Sequence, residues 1–403
     1  MISASMRHVV EKAVHEQVLG RYDLLELLDL MDHPEQDALA LVFNTARSLR
    51  ERYFGNRVFL YGFVYFSNWC RNDCNFCYYR RSNGLPRRYR LSEAKVVDAA
   101  FQLAATGVHA IDLTMGEDAA FLAHPRRLTA LAQAVSAATC LPLMVSPGVL
   151  SGPLLAELAA AGVRWYALYQ ESYSRTRFAQ LRPHQDFDAR MQAKRQAVAQ
   201  GLLVEEGLLV GLGESREELA DSLLALSRIE HSVDSLKFAQ VRVMGFVPQS
   251  GIPLASASSL AAQGIGSPHA ASSSPYAAGS PHAASSSPYA AGSPHAASRR
   301  RETLLIAILR LLFPQRLIPA SLDVEGLDGL AARLQAGANV VTSIIPPSFG
   351  LGGVANSSLD IDNAQRTVGA VEPVLRRVGL QVASQREYRL WLTGHSVMNR
   401  HLC

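Results

Sequence analysis

Three of the five cysteines of this 403-residue chain lie within eight residues, in the stretch CRNDCNFC. Because consecutive Cα atoms are about 3.8 Å apart, the spacing of Cys70, Cys74 and Cys77 lets one loop turn all three thiols toward a common centre. A structural zinc ion normally takes four ligands, and Cys140 and Cys403 are far along the chain. Iron–sulfur clusters are also held by thiolates, and a four-iron cluster with three protein ligands keeps one iron open. Both kinds of site are possible at this point.

Short apolar runs alternate with helical patterns along the rest of the chain. The stretch SEAKVVDAAFQLAATG predicts a helix with Ser92 as its N-cap and Gly107 as its terminator. Eight strands that alternate with helices predict an α/β fold, a (βα)8 TIM-type barrel, in which functional residues gather at the carboxyl ends of the strands. The three cysteines follow the first strand. The predicted strands are VFLYGFVYF, HAIDLTM, LPLMVS, WYALYQ, LVEEGLLVGL, LKFAQVRVM, LIPASLD and ANVVTSII.

The domain organisation predicted from the sequence is a barrel with three appendages. An N-terminal helical cap spans residues 1–55 and contains the helical segments RYDLLELLDLMDH and PEQDALALVFNTARSLRERYF. The barrel spans 56–384 and is interrupted at 256–298, where the unit GSPHAASSSPYAA runs nearly two and a half times. This composition predicts a disordered low-complexity insertion. A C-terminal tail at 385–403 has no predicted role.

Composition restricts the partners and the compartment of the protein. The formal charge of +4 comes from 39 basic and 35 acidic residues, which is too little and too dispersed to predict a nucleic-acid partner. The most apolar helix, LLIAILRLLF, is short and interrupted by Arg310, so no membrane partner is predicted. Sparse, clustered cysteines are typical of a reducing compartment, and we therefore predict a cytoplasmic location.

The motif Cys-x3-Cys-x2-Cys after the first strand, with Phe76 before its last cysteine, resembles the radical S-adenosylmethionine (SAM) superfamily. The resemblance implies that Cys70, Cys74 and Cys77 hold a 4Fe–4S cluster whose open iron binds the amino and carboxylate groups of SAM. It also implies that the reduced cluster passes an electron to the sulfonium, which releases methionine and a 5′-deoxyadenosyl radical. A reducing electron donor of the flavodoxin or ferredoxin type is then expected.

Charged residues at the ends of the predicted strands suit the contacts that SAM requires. The stretch MGED ends the second strand, where superfamily members carry a Gly-Gly-Glu-like stretch, and Glu117 is the matching carboxylate. Glu171, in YQESY at the end of the fourth strand, suits an ammonium group or a ribose. Arg182 and Arg190 follow in QLRPHQDFDAR and can each pair with a carboxylate. Together with Phe76, these residues form the predicted cofactor-binding set.

Longer stretches resemble the methylornithine synthase family within the biotin synthase group, in register over residues 53–347. This resemblance implies an isomerase that converts L-lysine to (3R)-3-methyl-D-ornithine, the first step of pyrrolysine biosynthesis, by a radical rearrangement of the carbon skeleton. The stretches are YFGNRVFLYGFVYFS, CNFCYYR, DLTMGED, MVSPG, ALYQESY, VRVMGFVPQ, FPQRLIPASLDVEGLDG and RLQAGANVVTSIIPP.

Lysine carries one carboxylate and two ammonium groups, so a fitting pocket needs a guanidinium and at least two carboxylates at the barrel mouth. Arg242, at the sixth strand, suits the carboxylate of the substrate. Asp112, in the second strand, and Ser321 with Asp323, at the seventh, suit the ammonium groups. In this family these positions fall in stretches that contact the substrate, and the catalysis they imply is the positioning of a small charged molecule, without an acid or base among the side chains.

Three alternatives stay open on sequence alone. Biotin synthase holds a second cluster with further strand cysteines; Cys140 alone cannot hold one and is expected to be a buried structural cysteine. An enzyme of the hydrogenase-maturation type needs no second catalytic cluster and is the main alternative within the group. The non-enzymatic alternative is a zinc module formed by the three clustered cysteines.

Overall fold

The computed structural model of the chain describes residues 2–231, 236–255, 294–323, 325–346 and 365–395. Three N-terminal helices precede a barrel of eight strands, and helices connect the strands along the chain. The barrel strands are β1 (Arg57–Ser67), β2 (Ala110–Met115), β3 (Leu143–Ser146), β4 (Val163–Ala167), β5 (Leu203–Val210), β6 (Gln240–Gly245), β7 (Pro319–Ser321) and β8 (Val340–Ile344). The helices are α1 (Ala4–Val14), α2 (Arg21–Asp29), α3 (Gln36–Phe54), α4 (Glu93–Ala105), α5 (Ala119–Leu122), α6 (Arg126–Thr139), α7 (Gly152–Ala160), α8 (Arg175–Leu181), α9 (Phe187–Ala199), α10 (Arg216–His231), α11 (Pro294–Leu312), α12 (Leu330–Gln335), α13 (Val368–Arg377) and α14 (Gln385–His395).

The strands pair in the order β6-β5-β4-β3-β2-β1-β8-β7, and every pairing between neighbours is parallel. The sheet closes through a parallel bridge between Gln240, the first residue of β6, and Leu317, which precedes β7. The N–H of Val241 donates to the Leu317 oxygen at 3.0 Å, and the N–H of Leu317 donates to the Ala239 oxygen at 3.1 Å. The predicted (βα)8 barrel is therefore confirmed.

Strand β1 and helix α4 show why these segments adopt their predicted structures. Ten of the eleven residues of β1 are buried, because a barrel strand is covered by helices on one face and by the barrel interior on the other. The Ser92 hydroxyl accepts a hydrogen bond from the N–H of Lys95, so the predicted N-cap of α4 is confirmed. Gly107 follows the helix with a φ of 91°, a left-handed conformation that ends helices.

Side chains of α14, which belongs to the segment for which the sequence predicted no role, pack against residues of β1 and β4. The Tyr388 hydroxyl donates to the Tyr61 hydroxyl at 2.9 Å and accepts from the indole N–H of Trp165 at 3.1 Å. The ring of Trp391 stacks on Trp165 with centroids 5.8 Å apart. A short strand, β9 (Gln381–Val382), pairs with the start of β1 and leads into this helix.

Helix α1 and the exposure of Cys140 differ from the sequence expectations. Helix α1 was not among the predicted helical segments, although it buries Met6, Val9, Val10 and Ala13 at helical spacing. Cys140 was expected to be buried, and this prediction is wrong, because its side chain is exposed. It lies one residue after α6 in a left-handed conformation, where the chain turns toward β3 and leaves the core.

The predicted insertion at 256–298 lies outside the described residues up to position 293, and its last five residues form the start of α11. Residues 396–403 of the predicted tail also lie outside them. No helix in the described ranges combines the length and the apolar character needed to cross a bilayer.

Candidate active site

The loop between β1 and α4 carries the three cysteines and folds around a single arginine. The guanidinium of Arg88 donates to the backbone oxygens of Asn68 at 2.6 Å, Tyr79 at 2.9 Å, Arg80 at 2.6 Å and Asn83 at 3.0 Å. An arginine has five N–H donors in a planar fork, so one side chain can tie together several turns of an irregular segment. The conformation of the cysteine loop is thus fixed from within.

Gly116, just after β2, allows the cysteine loop to lie directly on the end of that strand. A Cβ atom at this position would be 2.3 Å from the Trp69 oxygen and 2.9 Å from the Cβ of Cys70. The N–H of Arg71 donates to the Glu117 oxygen at 3.0 Å and fixes the same contact. Any side chain larger than hydrogen would push the first cysteine away from β2.

The surroundings of the thiols fit an iron–sulfur cluster. The sulfur of Cys74 accepts hydrogen bonds from Gln185 Nε2 at 3.1 Å and Arg182 Nη1 at 3.5 Å, the kind of contact that tunes cluster thiolates. Burial raises the pKa of the Cys70 thiol, and burial together with the neighbouring thiolates raises the pKa of Cys77. Three crowded thiolates are unfavourable unless a cationic centre lies among them. No group of side chains in the described part of the chain is arranged for a single metal ion.

Four of the five predicted cofactor-binding residues form one network of charges. Arg182 Nη2 donates to Glu171 Oε1 at 2.9 Å, and Arg190 Nη2 donates to the Tyr169 backbone oxygen at 2.6 Å. Arg190 Nη1 lies 3.7 Å from Glu117 Oε1. Burial and the neighbouring Arg182 lower the pKa of Arg190 to about 10. Two guanidinium groups and two carboxylates thus share a buried site beside Cys74.

Gln185 joins this network to the cysteine loop and was not predicted from the sequence. Its Oε1 atom accepts from Arg182 and from Arg190, each at 3.3 Å, while its amide donates to Cys74. The guanidinium of Arg182 also lies 5.1 Å from the centre of the Phe76 ring, a cation–π distance. The stretch QLRPHQDFDAR contains Gln185, but the type of an uncharged residue in a polar loop does not indicate that it contacts a cofactor ligand.

One cavity at the carboxyl ends of the strands brings predicted cofactor and substrate residues together. Its volume of about 130 Å³ is enough for several water molecules or a small polar ligand. The other predicted residues, Cys70, Cys74, Glu117, Arg182, Arg190 and Ser321, are not part of its described lining. The predicted residues that line the cavity are Phe76, Cys77 and Glu171 from the cofactor set, and Asp112, Arg242 and Asp323 from the substrate set.

Arg242 is held in the cavity wall by Glu205, a residue that sequence analysis missed. Arg242 Nε lies 2.5 Å from Glu205 Oε1, and the Tyr169 hydroxyl donates to Glu205 Oε2 at 2.8 Å. Gly207 on β5 makes room for this arrangement, since a Cβ atom there would be 2.9 Å from Arg242 Cγ. Arg242 Nη2 is buried and has no hydrogen-bond partner among the residues that the structure describes. Burial lowers and Glu205 raises the pKa of Arg242, with a net increase.

Asp112 is a buried carboxyl group with an unusual protonation equilibrium. The Ser146 hydroxyl donates to its Oδ1 atom at 2.8 Å. Burial raises the pKa of Asp112 to about 7, the Ser146 hydrogen bond opposes this increase, and the nearby Glu205 adds to it. The charge of Asp112 therefore changes near neutral pH and depends on what lies beside it.

Asp323 is already paired in this structure with a guanidinium that the sequence did not suggest. Its Oδ1 atom accepts from Tyr65 Oη at 2.7 Å and from Arg366 Nη2 at 2.9 Å. Its Oδ2 atom accepts from Ser343 Oγ at 2.8 Å and from Ser321 Oγ at 3.5 Å. Arg366 precedes α13 and is separated from Asp323 by 43 residues, so no local pattern could have indicated the pair.

Comparisons with known proteins agree with this site. The family model of the radical SAM superfamily matches residues 64–226, which contain the three cysteines. The chain is 37% identical to the 3-methylornithine synthase of Methanosarcina barkeri and 38% identical to that of Methanosarcina acetivorans, in each case over 94% of both chains. A crystal structure of methylornithine synthase superposes with a TM-score of 0.78 at 36% identity, over 95% of this chain and 99% of the other.

Proposed function

The chain belongs to the 3-methylornithine synthase family of radical SAM enzymes, and on this premise we propose that it isomerises L-lysine to (3R)-3-methyl-D-ornithine. The single observation that carries the proposal is one cavity lined by Cys77 and Glu171 on one side and by Asp112, Arg242 and Asp323 on the other. A source of radicals and a pocket for a charged amino acid then share one enclosed space.

A 4Fe–4S cluster and SAM are the cofactors of this family. Cys70, Cys74 and Cys77 would hold the cluster, and the two cofactors together supply a carbon radical that removes a hydrogen atom from the substrate. Arg182 and Arg190 are proposed to face the carboxylate of SAM, because two neighbouring guanidinium groups attract an anion. Glu117 and Glu171 are proposed to face its ammonium and ribose, and Phe76 to contact its adenine.

The charges of the substrate side complement lysine. When all are ionised, the three carboxylates of Asp112, Glu205 and Asp323 and the two guanidinium groups of Arg242 and Arg366 sum to one negative charge. Lysine carries two ammonium groups and one carboxylate, and therefore one net positive charge. The unpartnered Nη2 atom of Arg242 suits the substrate carboxylate. Asp112 and Asp323 with Ser321 suit the two ammonium groups, and Glu205 keeps Arg242 in place.

The remaining walls of the cavity protect the reaction. They include the apolar side chains of Phe63, Leu208, Leu209, Met244 and Phe246. Apolar walls around a few fixed charges exclude water and hold the fragments of a rearranging substrate near each other. These residues position the substrate and shield it, and no general acid or base is required of the chain.

The proposal includes an electron donor and a compartment. Generating the radical consumes an electron that the chain itself does not supply, so we include a low-potential one-electron carrier of the flavodoxin or ferredoxin type as its partner. The cytoplasmic location predicted from the sparse, clustered cysteines belongs to the same proposal, because a cluster with an open iron needs reducing surroundings.

The test is product analysis by nuclear magnetic resonance. Methylornithine is an isomer of lysine, so mass alone does not distinguish them, but lysine has no methyl group. The anaerobically reconstituted, reduced protein is incubated with SAM and uniformly 13C-labelled lysine, and we expect a new methyl doublet. The matched controls are Cys77→Ala and the same mixture without SAM. Cleavage of SAM without a methyl signal would instead favour an enzyme of the hydrogenase-maturation type.

A further inference from the structure

The positive charge of the chain is concentrated in the cysteine loop. Residues 69–90 contain six arginines and one acidic residue, a net charge of +5. Because the whole chain has a formal charge of +4, all other residues together sum to −1. The net charge is small and was expected to be dispersed, but the sequence places the excess in the one loop that carries the cluster ligands.

Three of these six arginines are engaged within the fold. Arg88 binds the four backbone oxygens described above, and Arg80 Nε lies 3.6 Å from Asp73 Oδ1 within the loop. Arg90 Nε donates to Asp118 Oδ2 at 2.6 Å and ties the end of the loop to the residues after β2. The structural needs of the loop therefore explain half of its arginines.

The other three arginines, Arg71, Arg81 and Arg87, are exposed. The side chains of Arg71 and Arg81 are 55% and 68% exposed, although each also contacts one carboxylate, of Glu117 and Asp73 respectively. Each of these cations therefore presents much of its surface to solvent from a loop whose backbone is fixed by internal hydrogen bonds.

Two large apolar side chains are exposed on the same loop. Trp69, which directly precedes Cys70, is 46% exposed and Leu85 is 61% exposed. The Asn68 amide donates to the Arg87 oxygen at 2.8 Å, which holds the segment of Trp69 beside that of Arg87. The N–H of Leu85 donates to Asn83 Oδ1 at 3.1 Å. A few exposed apolar groups among arginines are typical of surfaces that bind other proteins.

We propose that the outer surface of residues 69–90, with Trp69, Leu85 and Arg87 at its centre, is the docking surface for a small acidic protein that delivers single electrons to the cluster. The inference rests on the proposed function, because that reaction needs an external reductant. In each encounter the carrier loses one electron and the cluster gains one, and no proton or group is transferred. Acidic side chains of the carrier pair with the arginines, and its redox centre approaches the cluster through the segment of Trp69 and Cys70.

A small, charged surface suits this task. Electron-transfer partners form weak, short-lived complexes with small interfaces, and opposite charges raise their association rate more than their affinity. The concentration of charge in one loop also favours one orientation of an acidic partner, because residues 69–90 carry a net charge of +5. Ionic strength must then control the rate, because exposed charges are screened within about 10 Å at 0.1 M salt.

The test measures reduction of the reconstituted enzyme without lysine or SAM. Arg87→Glu is compared with Arg386→Glu, which makes the same charge change on an exposed residue of α14 at the other end of the barrel. Bleaching of the cluster is followed by stopped-flow absorbance with reduced flavodoxin and, separately, with reduced methyl viologen, a small cation. Binding of oxidised flavodoxin is measured by calorimetry at low and high salt, and the Arg81→Glu/Arg87→Glu variant extends the series.

We expect Arg87→Glu to lower the bimolecular rate with flavodoxin about threefold to tenfold at low salt, with weaker binding, and the double variant to lower it further. The difference should vanish at high salt. Arg386→Glu should leave the rate with flavodoxin unchanged, and Arg87→Glu should not lower the rate with methyl viologen, because removing a positive charge does not hinder a cation. An equal loss with both reductants would show that the arginines act on the cluster, and an unchanged rate with flavodoxin would place docking elsewhere; either result overturns the proposal. Because no substrate is present, the outcome is independent of whether the enzyme rearranges lysine.

Discussion

At the scale of single residues, the substrate side has two carboxylates that line the cavity, Asp112 and Asp323, and a third, Glu205, that contacts Arg242 in its wall. Glu205 is paired with Arg242, Asp323 is paired with Arg366, and Asp112 has only hydroxyl partners. Burial disfavours the charged form of a carboxyl group that has no cationic partner, and it raises the pKa of Asp112. An ammonium group that arrives beside Asp112 would therefore favour the charged form of this carboxyl group.

Replacing Asp323 by Asn tests the proposed role of this residue. The amide keeps the shape but removes the charge for a substrate ammonium, and it leaves Arg366 without a counter-charge. We expect turnover of lysine to fall by at least about 100-fold, which corresponds to the loss of a buried charge pair, while the cluster absorbance and cleavage of SAM remain measurable. Chromatography of 5′-deoxyadenosine and the methyl signal report the two activities. Asp221→Asn on the exposed face of α10 is the control, and full lysine turnover in Asp323→Asn would remove this residue from the site.

The pKa of Asp112 predicts a pH dependence of lysine binding. Burial raises this pKa to about 7, so the carboxyl group is largely neutral below that value and cannot pair with an ammonium group. The dissociation constant of lysine is therefore expected to rise by up to about tenfold for each pH unit below 7 and to level off above it. Calorimetric titration of the holoenzyme between pH 5.5 and 8.5 measures this, and Asp112→Asn should show weak binding with no such slope. A flat profile for the unchanged protein would contradict the assignment.

The sequence predicted Asp112, Arg242 and Asp323 as site residues, but it did not predict their partners Glu205 and Arg366. Asp112 and Arg242 are charged residues inside apolar runs and Asp323 follows β7, and a barrel brings such positions together. Glu205 lay in a predicted strand, but which of two adjacent glutamates faces the interior depends on the strand register. Arg366 was missed because its contact is set only by the tertiary fold.

At the scale of elements, the cysteine loop and α14 show how irregular and terminal segments serve the barrel. Hydrogen bonds from Arg88 to backbone oxygens hold the loop together, and the absence of a side chain at Gly116 lets the loop lie against the end of β2. Each of these contacts joins residues that are apart in the sequence. Helix α14 supplies Tyr388 to the barrel interior, where barrels need filling by side chains. Strand β7 spans only three residues, although the sequence run is longer; the chain turns at Asp323, whose side chain lines the cavity.

Removing the Tyr388 hydroxyl is expected to weaken the barrel without affecting catalysis. Tyr388→Phe leaves the Trp165 N–H without an acceptor and the Tyr61 hydroxyl without a donor in a buried site, which costs about 1–3 kcal/mol. Urea unfolding followed by circular dichroism should show a lower midpoint, while the rate of lysine turnover at low temperature stays unchanged. Tyr22→Phe, at a largely exposed hydroxyl, is the matched control. Equal midpoints for the two variants would argue against a structural role of α14.

At the scale of the whole molecule, the aromatic residues that stabilise the barrel and the residues of the candidate site lie at opposite ends of the barrel. The amino-terminal end of the barrel is filled by aromatic residues, and the carboxyl-terminal end carries the cysteines, the cavity and the excess of positive charge. The fold could be predicted because eight alternating elements admit few arrangements. The position of α14 in the barrel could not be predicted, because a terminal amphipathic segment has no unique packing partner until the barrel has formed.

Deletion of the repeats tests how much of the chain the enzyme requires. Residues 260–290 consist largely of Ser, Ala, Pro, Gly and His, with little apolar surface to bury. A shortened connection between β6 and α11 is expected to leave the thermal midpoint and lysine turnover unchanged, because the removed residues offer little apolar surface to a core. Thermal denaturation and the methyl assay measure both quantities. Loss of turnover in a stable, cluster-containing variant would show that the repeats contribute to the catalytic face.

The most direct measurement of the central claim is transfer of deuterium from the substrate to the cofactor. If one cavity holds the radical source beside lysine, hydrogen atoms removed from the side chain of lysine pass to the 5′ carbon derived from SAM. Reduced enzyme incubated with side-chain-deuterated lysine is predicted to yield SAM and 5′-deoxyadenosine that contain deuterium, together with methyl-branched product. Cleavage of SAM that yields only unlabelled 5′-deoxyadenosine would show that lysine does not occupy this cavity and would contradict the account.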